Sequence, residues 1–263
     1  MFTINPFSEL SQLIPFLVMQ VFVVVMIMLV VAGTLMDIVH KKNVKYFFEN
    51  ANRAKKLATN NVNIGKKTSI VLKTVVSDIL TTSELAGKRR IAHLFGMYGT
   101  VIFWITSVIM IFNYSTPQSS TPYILPLLWH LGAIMTCIGG YWFWFFLRVD
   151  VSADGNPWYR VVKADLFVLS LVVTATFGLA WSYFQTAGKS GWDTSFLVLF
   201  ILSNLVLFGG VYWSKFAHMF YKPGAAMQKH LAEADGSRDN LPIPADKPKQ
   251  YGLGIKREAP RHY

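Results

Sequence analysis

Residues 13–36 read LIPFLVMQVFVVVMIMLVVAGTLM, and this stretch decides the class of fold. It contains no charged side chain, and its only side-chain amide is Gln20. A helix rises about 1.5 Å per residue and the hydrocarbon core of a bilayer is about 30 Å thick, so roughly 20 apolar residues reach across. The stretch lacks a basic leader segment and has no small-residue cleavage site before Asp37, so it reads as a retained transmembrane helix and not as a secretory signal.

Four further apolar stretches of spanning length follow, at about 94–113, 123–147, 164–186 and 194–221. Each is expected to be helical, because an unpaired backbone amide finds no partner in lipid. Composition agrees: 53% of the 263 residues are hydrophobic and mean hydropathy is +0.38. Charged residues make up 15%, against about 25% in a typical soluble domain. The expected fold is an all-α membrane bundle of five spans occupying residues 1–222, with a long loop at 37–93. A tail at 223–263 is expected to run as an extended strap, since Pro242, Pro244, Pro248 and Pro260 suit extended chain better than helix. The single cysteine, Cys137, excludes an internal disulfide and a cysteine-ligated iron–sulfur cluster within this chain.

The net charge of +11 is unevenly placed. Segment 41–90 holds twelve Lys and Arg against Glu49, Asp78 and Glu84, and the tail from Lys222 onward holds eight against five acids. The loop at 114–122 has no charge, and the one near 187–193 has only Lys189 and Asp193. Basic residues flanking spans stay on the cytoplasmic side, which predicts an N-out, C-in topology in a bacterial cytoplasmic membrane. Positive-inside bias and attraction to anionic lipid account for the charge, so no nucleic-acid partner is implied. Within the long loop, helices are expected near 44–58 and 69–82. The second gathers Ile70, Val71, Val75, Ile79 and Leu80 largely on one side, as a helix resting on lipid or a docking face for a soluble partner would.

Ionisable groups in or beside spans are costly, which makes each a functional candidate. His93 opens the second span after Lys88, Arg89 and Arg90, and His218 closes the fifth after Lys215. Opposite chain directions put both imidazoles at the same membrane face. Neutral imidazoles on facing helices can take the two axial positions of a b-type haem, with Arg89, Arg90 and Lys215 beside its propionates. Gly96 and Gly99 would let a flat macrocycle approach the helix. The alternative is that both histidines are interface residues reaching toward headgroups. His130, about two turns into the third span, could ligate a second haem, contact a quinone or hydrogen-bond a neighbouring helix. His40 reads as an interface anchor, and His230 and His262 receive no role. Asp165 reads as a proton relay beside a quinone or as a helix-start carboxylate favoured by the helix dipole. No phosphate-binding loop, nucleophile elbow or zinc spacing is present, so no catalytic residue is assigned to the chain itself.

A histidine entering span two and the run Ser214-Lys215-Phe216-Ala217-His218, with Pro223 five residues on, resemble the gamma subunit of respiratory nitrate reductase. Val75 to Leu80 and Arg89 to His93 look closer to the membrane subunits of heterodisulfide reductase and of quinone-interacting sulfur-metabolism complexes. The resemblance covers roughly residues 1–223. It implies a subunit that anchors a cytoplasmic flavin and iron–sulfur oxidoreductase and passes electrons between it and quinone. The family's haem ligands nearest the cytoplasm would carry over onto His93 and His218. Its second haem expects histidines where this chain has Val101 to Trp104 and Leu199 to Leu202, which contain none. The single-haem pattern and the tail look most like the membrane anchor of adenylylsulfate reductase in sulfur-oxidising bacteria. The rival readings are a haem-free structural anchor and a small transporter, the latter disfavoured by nearly apolar mid-span positions.

Overall fold

The computed structural model describes residues 1–148 and 159–237, and among these there are helices and no strand. A short α1 (Pro6–Leu10) precedes the first long helix, α2 (Phe16–Lys41). Then come α3 (Asn43–Lys56) and α4 (Ile64–Lys73), which continues as a π-helical stretch, Thr74–Leu80. The next spans are α5 (Gly87–Asn113) and α6 (Ile124–Trp142), the latter ending in a π-helical turn, Phe143–Leu147. A 3-10 turn, Lys163–Asp165, leads into α7 (Leu166–Thr186), followed by α8 (Trp192–Gly209) and α9 (His218–Ala234).

Five of these helices are long and apolar enough to cross a membrane: α2, α5, α6 with its π-helical end, α7 with its 3-10 lead, and α8. They present Leu17, Val21, Ile27, Met28 and Leu35 of α2 and Ile105 of α5 at exposures of 52–64%. A multi-pass membrane protein exposes such side chains to lipid tails, where they carry no hydration cost.

Each span packs on the next in the order α5, α6, α7, α8, and α2 closes the ring by touching both α8 and α5. The α5–α6 seam depends on glycine. A Cβ on Gly99 would lie 2.6 Å from the Thr136 amide nitrogen and 2.7 Å from the Gly132 carbonyl oxygen, and one on Gly139 would lie 2.5 Å from the Ala92 oxygen. Between helices in lipid, van der Waals contact replaces the hydrophobic effect as the main attraction, so close backbone approach sets the strength of such seams. At the α1 end, Phe7 plugs the bundle edge-on to Trp129 and Trp181, with ring centroids 5.8 and 5.5 Å away.

The fifth span is shorter than the expected 194–221. It ends at Gly209, and the chain turns through residues 210–217 before α9 begins at His218. Two adjacent glycines lower helix propensity at about 1 kcal/mol each. The Trp213 and Ser214 amides then both bond to the Gly210 carbonyl, and the Ser214 hydroxyl accepts the Phe216 amide at 3.2 Å. Serine bonding its own local backbone competes with helix in this way. The expected strap is corrected over its first part too, because residues 223–234 belong to α9. Pro242, Pro244, Pro248 and Pro260 lie outside the described residues. In the long loop, the expected helix near 69–82 starts earlier, at Ile64, where the Asn63 side chain caps the Lys66 amide at 2.8 Å.

Candidate functional site

The break at Gly209–Gly210 folds α9 back over the end of the bundle, where it packs against α3, α4 and the π-helical Thr74–Leu80. This places His218, on the first turn of α9, within electrostatic reach of His93, on the second turn of α5. Lys222, one turn after His218 on the same face, is also within reach of His93 and forms an ion pair with Glu84 at 3.8 Å, just ahead of α5. The two histidines thus stand at the same end of the bundle, under the cap that α9 forms with α3, α4 and Thr74–Leu80.

The two imidazoles keep ring nitrogens available. His218 uses Nδ1 against the Lys215 carbonyl, with Phe167 edge-on at 5.7 Å, and among the described residues no hydrogen bond occupies its Nε2. A backbone bond at one ring nitrogen is the usual way a ligating histidine is oriented for the other. Burial holds the His218 pKa below its ordinary value, the Lys215 carbonyl opposes this in part, and the positive charges of Lys222 and Lys215 add to it. The side chain is therefore neutral near pH 7, which is the form that donates a lone pair. His93 makes no hydrogen bond with the described residues. Beside it, Gly96 is open: a Cβ there would meet nothing within 4 Å. Gly99 is not open, since its face is filled by α6.

Arg89 donates from Nη2 to the Leu147 carbonyl at 3.1 Å, tying α5 to the end of α6. Arg90 donates from Nε to the Thr81 carbonyl at 2.8 Å. Lys215 is exposed. Trp104 stacks on Phe216 with centroids 6.1 Å apart and planes 13° off parallel, and its buried Nε1 has no hydrogen-bond partner among the described residues.

The remaining candidates stand elsewhere. His130 is fully buried near α1, with Nδ1 bonded to the Pro126 carbonyl at 2.6 Å and Nε2 to the Ser182 hydroxyl of α7 at 2.8 Å. Both nitrogens are engaged, so it joins helices as folded and offers no free nitrogen. Asp165 holds Arg148 through both carboxylate oxygens, with Nε to Oδ1 at 3.2 Å, and accepts the Val162 amide at 2.9 Å. Arg148 also lies over the Trp144 ring, 4.2 Å from its centroid. His40 bonds the Met36 carbonyl at 3.0 Å.

Sequence reading missed three groups that the fold brings to this end. His230 bonds Asp78 at 2.8 Å and faces Glu233 at 3.4 Å, clamping α9 to the π-helical segment. Tyr221 donates to Asp37 at 3.0 Å, and Asp37 also pairs with Lys41. Burial, then the Asp37 bond and charge, push the Tyr221 hydroxyl up to about 12. Lys222 was legible only as one of many tail cations. Its position four residues after His218 acquires meaning once the segment is known to be helical.

Comparison with protein-family models, curated proteins and solved structures finds no match. Functional inference therefore rests on the residues themselves. Among the described residues no cluster of three or more His, Cys, Asp and Glu side chains could hold a metal ion on its own. A group that brings its own equatorial ligands needs only two axial nitrogens.

Proposed function

We propose that this chain is a membrane subunit that anchors a cytoplasmic flavin and iron–sulfur oxidoreductase and exchanges electrons between it and quinone, with one b-type haem held by His93 and His218. The observation that carries the reading is that His93 and His218 lie within electrostatic reach of one another at one end of the bundle, with Nε2 of His218 and both ring nitrogens of His93 free of hydrogen bonds among the described residues. His130 and His230 have theirs satisfied by the protein. The open face at Gly96 and the neutral state of His218 fit the same group.

When bound, haem would supply reversible one-electron chemistry at iron. The protein's own part is to present two imidazoles and to hold them. His218 is oriented by the Lys215 carbonyl, and α9 is fixed by the Lys222–Glu84, Tyr221–Asp37 and His230–Asp78 contacts. Lys215, Arg89, Arg90 and Lys222 make this end strongly cationic, which favours carboxylates of a prosthetic group and acidic patches of a soluble partner. In this reading the partner resembles adenylylsulfate reductase in class, and the membrane is the bacterial cytoplasmic membrane with the α9 end inside. Asp165 and His130 are fixed in pairs, and no proton-transfer role is assigned to either.

The test is a dithionite-reduced minus oxidised spectrum of the membrane-extracted, folded protein beside His93→Ala and His218→Ala variants. A b-type signal present in the wild type and lost in both variants is expected. A folded wild-type protein, expressed with haem supplied, that carries no such signal overturns the haem assignment and leaves a haem-free anchor.

A further inference from the structure

The stretch from Ile64 to Leu80 has two faces. One carries Ile70, Thr74 and Asp78, at a spacing of four, and is buried or clamped against α9 through His230. The other leaves Ile64, Val71, Leu72, Val75, Val76 and Leu80 at 40–83% exposure. A soluble surface does not keep so continuous an apolar stripe without an occupant.

Three observations say what covers it. First, the stripe runs into a transmembrane wall. Tyr98 of α5 donates its hydroxyl to the Leu80 carbonyl at 2.8 Å, and Arg90 donates to the Thr81 carbonyl. Leu80 therefore abuts the α5 face where Ile91, Phe95 and Tyr98 are 36–47% exposed, the face that looks into lipid. Second, Lys66, Lys67 and Lys73 are exposed on the same stretch, and the acids of the long loop are few. Cations bordering an apolar face suit anionic headgroups, with the apolar side chains below them. Third, the opposite face is already taken by α9, which fixes the orientation of the stripe relative to the bundle.

We propose that Ile64–Leu80 is an in-plane membrane segment whose apolar face lies at the headgroup–acyl boundary of the bilayer that holds the bundle, with its lysines on anionic lipid. This requires only that the five spans are inserted and is independent of any haem or soluble partner.

The experiment uses the full chain in a Cys137→Ser background, with nitroxide labels at Leu72→Cys, Val75→Cys and Lys73→Cys. The proteins are reconstituted in phosphatidylcholine vesicles with and without phosphatidylglycerol. The expected result is that labels at 72 and 75 collide with oxygen several-fold more than with a water-soluble nickel chelate, that the label at 73 shows the reverse, and that adding phosphatidylglycerol deepens the first two. Labels at 72 and 75 that collide freely with the nickel chelate would place the stripe in water and overturn the proposal. So would labels shielded from both reagents with mutual spin broadening, which would mean that a second copy of the chain covers it.

Discussion

Two glycines three residues apart on α5 should respond oppositely to the same substitution. At Gly99 an added Cβ would stand 2.6 Å from the Thr136 nitrogen, about 0.8 Å short of the 3.4 Å at which ordinary contact begins. The neighbour is helix backbone, so α5 and α6 must part. Overpacking of this kind costs about 1–3 kcal/mol, and a gain of up to about 1 kcal/mol in helix propensity offsets part of it. Gly99→Ala should thus lose about 1–2 kcal/mol, lowering Tm by about 3–6 °C for a chain of this size. At Gly96 nothing lies within 4 Å of an added Cβ, so Gly96→Ala should be neutral or raise Tm slightly. The assay is thermal unfolding of both variants in the same nanodiscs, followed by helical circular dichroism. Equal shifts for the two, in either direction, would refute the argument that the α5–α6 seam is set by backbone contact.

Ser182→Ala should destabilise by about 1–3 kcal/mol, because it strands a ring nitrogen of fully buried His130, and an unchanged unfolding temperature would contradict this. Burial raises the Asp78 carboxyl, but bonds from Ser83 and His230 outweigh it, so the group titrates below its ordinary 3.8. The clamp it forms is therefore fully present above pH 3.8 and lost as pH falls through the lower folded value. Hydrogen exchange in α9 should accelerate on that descent in the wild type, and Asp78→Asn should remove the pH dependence. Tyr221 should ionise near 12, so phenolate absorbance in the wild type minus that in Tyr221→Phe should rise there, and Asp37→Asn should move the step back toward 10.

The long apolar runs made the five spans legible, because a length of uninterrupted hydrophobic residues is a local property that lipid turns directly into helix. That His93 and His218 stand at the same end of the bundle was legible in outline for a related reason: His93 follows Lys88, Arg89 and Arg90, His218 follows Lys215, and successive spans run in opposite directions. The end of the fifth span was not. Its apolar character continues past Gly209, and the break depends on a serine-bonded turn and on what α9 finds to pack against. The same is true of His130, whose sequence signal is a lone histidine on an apolar face. Only the approach of α7 brings Ser182 to it and turns a candidate ligand into a satisfied pair. Gly96 and Gly99 read alike, and only the position of α6 separates an open face from a filled one. Hydrophobic length is written along the chain and needs no partner to act, so it determined the number of helices able to cross a membrane. Hydrogen bonds and close contacts join residues as far apart as Asp78 and His230, and only the tertiary structure decided which of those groups are engaged and which remain available.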